Sequence, residues 1–157
     1  MTDETTAFAG CEDTAPGPRV ILAVDGSEHS LNAAKFLAGI LPKRSYVRLV
    51  GVVGYEFNPD THGGPVGEAQ ERLSHAPKPG VSIFDAPAQL FQEAGAEVSD
   101  VQRYGHPAQE ILSEAKEWQA NMVVVGHHDG PARWFFGSVA EALVKNSSVP
   151  LLIVPSG

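Results

Sequence analysis

Between Val123 and Leu143 the sequence reads VVVGHHDGPARWFFGSVAEAL: an apolar run, a glycine-punctuated loop, and a stretch with helical spacing that starts at Gly137-Ser138. The helix start is built to meet a phosphate, and the loop before it either follows that phosphate or only turns a corner. Backbone N–H groups at a helix start carry partial positive charge and point outward, and a Gly-Ser pair lets an anion come close enough to meet both amides and a hydroxyl. Gly126, Gly130, Gly137, Ser138, Val139 and Ala140 are the candidate anion-facing residues, with Arg133 as a loop cation and His128 lining the loop. Asp129 opposes them in sign. A second candidate is Asp25, which follows the apolar run VILAV together with Ala23 and Val24. A carboxylate there sits where an open α/β sheet places its ligands, and VDGS is equally good turn chemistry.

Other chemistries have weaker footing. His127, His128 and Asp129 are ligand types for zinc, but adjacent ligands need a third from elsewhere, and nothing in the sequence brings His62, His75 or His106 to them. No metal site is expected. A G-x4-G-K-[ST] loop, a G-x-G-x-x-G turn after the first strand and a nucleophile elbow are all missing. No catalytic residue is assigned, and no general base is placed to drive fast hydrolysis.

The elements that must position these residues alternate. RVILAV is a short apolar run of the kind buried on both faces of a parallel sheet. SEHSLNAAKFLAGILP repeats apolar residues at helical spacing, with Ser27 as cap and Pro42 as stop. YVRLVGVV and a more polar AEVSDVQRY read as strands, separated by a helix in VSIFDAPAQLFQEAG that Gly95 closes. HPAQEILSEAKEWQA puts Pro107 at the first helical position and Ile111, Leu112, Ala115 and Trp118 on one face. NMVVVG, the helix from Ser138 to Asn146 and VPLLIVP complete the order. Strands alternating with helices predict an α/β fold, a three-layer sandwich with a five-stranded parallel sheet. Gly54 to Gly80 is a long Gly- and Pro-rich connection, and residues 1–18 read as a flexible acidic tail before one domain over 19–157.

Composition narrows the partners. The 157 residues carry 11 Lys and Arg against 19 Asp and Glu, a formal charge of −8, so no basic footprint for nucleic acid exists. No apolar run approaches the roughly 18 residues of a membrane helix, and the start lacks a signal-peptide pattern. With a single cysteine, Cys11, no internal disulfide can form. A cytoplasmic protein without membrane insertion is expected.

Taken in order, ILAVDGSEHSLNAA, GHPAQEILSEAKEWQANMVVVG and FGSVAEALVKNSSVPLLIVP resemble the universal stress protein family over Arg19 to Pro155. The resemblance implies a Rossmann-like, adenine-nucleotide-binding sandwich, usually a homodimer joined through its last strand, here Val149, Leu151, Leu152, Ile153 and Val154. It implies ATP or another adenine nucleotide as ligand, with or without Mg2+, and Val52, or Val53 one position on, as the residue whose backbone reads the adenine edge. The family's nucleotide-binding members carry G-x2-G-x9-G-[ST] after the fourth strand. Here Asp129 stands at the second glycine and the loop is two residues short. Two readings follow: a dimeric nucleotide-binding regulatory module that acts on an unknown protein partner, or a nucleotide-independent dimeric interaction module.

Overall fold

The computed structural model describes residues 16–53, 80, 82–127 and 138–155. The chain runs β1 (Arg19–Val24), α1 (Glu28–Ile40), β2 (Tyr46–Val53), α2 (Asp85–Glu93), β3 (Glu97–Tyr104), α3 (Pro107–Glu117), β4 (Met122–His127), α4 (Ser138–Asn146) and β5 (Leu151–Pro155). All five strands are parallel, in the order β3-β2-β1-β4-β5. The expected sandwich is present, with α1 and α2 on one face and α3 and α4 on the other.

Strand alternation divides the core. Val20, Leu22, Val24, Val47 and Leu49 pack under α1 and α2 with Ala33, Ala34, Leu37 and Phe91. Ile21, Val50, Val123 and Val125 face Ala108, Ile111 and Ala115 of α3 and Ala140 and Leu143 of α4. The helix boundaries follow local chemistry. The Ser27 hydroxyl accepts from the Ser30 amide at 3.2 Å and caps α1, a bond type worth about 1 kcal/mol. Pro107 occupies the first turn of α3, and Gly95, at φ +84°, follows α2 in a conformation that side chains resist. At the chain's entry Pro18 accepts the Tyr46 amide at 2.9 Å, so Pro18 is already tied to the sheet.

β5 lies at the sheet edge next to β4. Leu151, Leu152 and Ile153 are half-buried against the two cores and Val149 packs beside them just before the strand. Val154 is only 7% exposed, so its side chain serves the monomer core and can offer an interface its backbone alone.

Candidate functional site at the topological switch

The chain moves from β1 outward through β2 to β3 and then crosses to β4 on the other side of β1. Such a reversal leaves a crevice at the carboxyl ends of the two strands that part. β1 pairs with β2 along its whole length, to Val24 opposite Gly51. With β4 it pairs only from Val20–Met122 to Leu22–Val124, after which the ladder opens. β2 runs on to Val53 and β4 to His127. The end of β1 is therefore a notch flanked by two strands that run past it.

Of the residues expected at a site, Ala23, Val24, Asp25, Val52 and Gly126 gather around this notch. Asp25 is exposed directly beyond β1, and its Oδ1 accepts the Ser27 amide at 2.9 Å, a turn that aims the chain into α1. Val52 is the first β2 residue past the end of β1 and is half-buried towards α3. Val53, the alternative, is 42% exposed, and its carbonyl accepts the Gly105 amide at 3.0 Å. Gly126 has a packing reason of its own: a Cβ there would lie 2.5 Å from the His29 carbonyl oxygen, so the first turn of α1 rests directly on β4.

α4 starts at Ser138, as its sequence predicts. Val139 is half-buried and Ala140 is 6% exposed, so their side chains pack in the core and only backbone amides remain for an anion. His128, Gly130, Arg133 and Gly137 lie outside the described residues, as do Trp134 to Phe136, Asp129 and all of the Gly54 to Gly80 connection but its last residue. Among the described residues no three His, Cys, Asp or Glu side chains come together as metal ligands, and no helix is long and apolar enough to cross a membrane.

An ion cluster on the α3 face went unread in the sequence. The Glu114 carboxylate, 5% exposed, accepts from Arg48 Nη1 at 2.7 Å and from Arg103 Nη1 at 2.6 Å. Arg103 also reaches Glu110 at 2.9 Å and Glu117 at 3.0 Å. Burial alone would push the Glu114 carboxyl up, but the hydrogen bonds from Arg48 and Arg103 outweigh it and hold it below the usual carboxylate range. Hydrogen bonds to Glu117, then Glu110 and Glu114, raise the Arg103 guanidinium further above its ordinary value. Arg48 lies over the Trp118 ring at 4.6 Å and Arg19 at 5.7 Å. Since Arg103 is the ladder partner of Val52, this cluster braces the strand pair that forms one wall of the notch. The available signal was an arginine inside each of YVRLVGVV and EVSDVQRY, with glutamates at 110, 114 and 117 on one helix face.

The family comparison agrees with the topology. The universal stress protein family model matches residues 18–155. This chain belongs to that family. A universal stress protein of Methanocaldococcus jannaschii is 29% identical over 139 residues, covering 87% of this chain and 81% of its own length. Two solved universal stress protein structures share the fold. One, from Arabidopsis thaliana with AMP bound, is 18% identical with a TM-score of 0.63, covering 89% of this chain and 92% of that one. The other, in complex with cAMP, is 19% identical with a TM-score of 0.59, covering 90% and 98%.

Proposed function

We propose that the chain is an adenine-nucleotide-binding regulatory module, a cytoplasmic homodimer that alters its contacts with a protein partner under stress and does no fast chemistry. The observation that carries this reading is the notch where β1 ends at Val24 while β2 and β4 continue, with exposed Asp25 at its floor and the start of α4 following β4. The family relatives with AMP and with cAMP bound support it. Val52 and Asp25 suit the nucleoside, and the amides at the start of α4 suit the phosphates. ATP would bring Mg2+ with its phosphates, as the ion is usually held by phosphate oxygens and water with one or two carboxylates. Dimerisation through β5 is supported by its place at the sheet edge, where one side of its backbone has no neighbour in the sheet.

The test is thermal melting of ligand-stripped protein with Mg2+ and ATP, ADP, AMP or GTP. Saturation at about a hundred times Kd adds roughly 2.7 kcal/mol and raises Tm by several degrees. A larger shift with ATP than with AMP assigns the phosphates to the loop, whereas equal shifts assign only the adenosine end. No shift with any nucleotide rejects the reading in favour of a nucleotide-independent interaction module. That second reading has its own support: Asp25 and Gly126 both have structural tasks, in the turn before α1 and under its first turn.

A further inference from the structure

The wall of the notch on the α1/α2 side is aromatic. Gly51 is buried level with Val24, and a Cβ built on it would lie 2.9 Å from Phe84 Cζ and 3.1 Å from Ile83 Cδ1. The Phe84 ring thus lies against a bare patch of β2, one residue short of Val52. Phe84 itself is only half-buried, at the end of the turn that leads into α2. Two residues beyond Gly51 on the same strand face comes Val53, 42% exposed, and its ladder partner Tyr104 is 58% exposed. Val53 and Tyr104 are thus an exposed apolar edge on the strand face that Phe84 covers at Gly51, while the Phe84 ring is half-buried and packs against the core beneath α1 and α2.

We infer that Phe84 is a specificity-determining residue: its ring, seated on Gly51, stacks against the flat heteroaromatic base of the nucleotide. This rests on the nucleotide-binding reading of the notch and adds the residue that selects a planar base over the sugar and phosphate. A ring face offers stacking to any base and hydrogen-bond specificity to none, so the site tells purine from no base more sharply than adenine from guanine.

The experiment is calorimetric titration of the full chain with AMP, using wild type, Phe84→Leu, Phe84→Tyr and Gly51→Ala, each with its fold checked by circular dichroism. Leucine keeps the apolar contact with the core and removes the ring, so AMP affinity falls about tenfold, while tyrosine keeps it within about twofold. Gly51→Ala pushes the ring tip aside and weakens AMP similarly without touching Phe84, which covers the case where the leucine variant folds poorly. Wild-type affinity in Phe84→Leu and Gly51→Ala overturns the stacking role alone. Equal losses in the leucine and tyrosine variants overturn it in favour of a packing role. A wild-type chain that binds no AMP removes the nucleotide reading and this inference with it.

Discussion

The carbonyl oxygen of His29, in the first turn of α1, stands 2.5 Å from where a Cβ on Gly126 of β4 would be. Backbone meets backbone here, so no side chain can swing away to make room. Gly126→Ala must lift the start of α1 off the sheet, at about 1–3 kcal/mol, the usual cost of overpacking. Urea unfolding measures it, and a loss below about 0.5 kcal/mol would contradict the close approach. Because Ser27 caps α1 and Asp25 lies just before it, displacing the start of this helix should also lower ligand affinity.

Glu114 makes the fold acid-sensitive. Its pKa is lower folded than unfolded, so its contribution is complete above the unfolded carboxylate value and disappears as pH falls through the folded one. Glu114→Gln should therefore flatten the loss of stability below about pH 4.5 and cost roughly 2 kcal/mol at pH 7, less than a fully isolated buried pair because Arg48 keeps Ser99 and Arg103 keeps Glu110 and Glu117. Parallel pH–stability curves for the two proteins would refute the assignment.

Asp25 can be separated into its two tasks. Asparagine retains an oxygen for the Ser27 amide, whereas alanine removes both that bond and the charge. Asp25→Asn should leave Tm within about a degree yet weaken AMP about fivefold to tenfold, while Asp25→Ala should also lose about 1 kcal/mol of stability. Unchanged AMP affinity in both variants would confine Asp25 to its turn.

The proposed dimer is tested without disturbing the core. Leu152 and Ile153 are half-buried in the monomer, so a charge there would damage folding as well as association. Ile40 of α1 and Val144 of α4 are 54% and 56% exposed, on the helices that contact β5 from either face. Ile40→Glu with Val144→Glu should shift sedimentation from dimer towards monomer while circular dichroism stays native. A dimer of unchanged stability would place the contact away from these helices.

Much of the architecture was legible because its signals are local. Ser27, Pro107 and Gly95 bound their helices at the positions their chemistry requires, and the continuous apolar runs of β1 and β4 announced strands covered on both faces. The places of Ala23, Val24 and Asp25 at the end of β1 were legible from the apolar run and the turn that follows it, and Val52 came from the resemblance to the family. Arg48 and Arg103 escaped because an arginine in a strand looks like a solvent-facing residue until its neighbours are known. Their partners are 66 and 11 residues away, at Glu114. Phe84 escaped for the same reason, since Gly51 looks like a mere gap in an apolar strand until the ring that fills it is seen.

The sequence by itself determined the element order and the parallel sheet, since periodicity, caps and turn residues act over a few positions each, and its three motifs carried the resemblance to the family. Tertiary structure alone decided which strand ends part to open a notch, why Gly126 and Gly51 lack side chains, and that Glu114 is held by two arginines. Those are distances between residues far apart in the chain, set by how two helical layers settle on one sheet, and no local pattern encodes them.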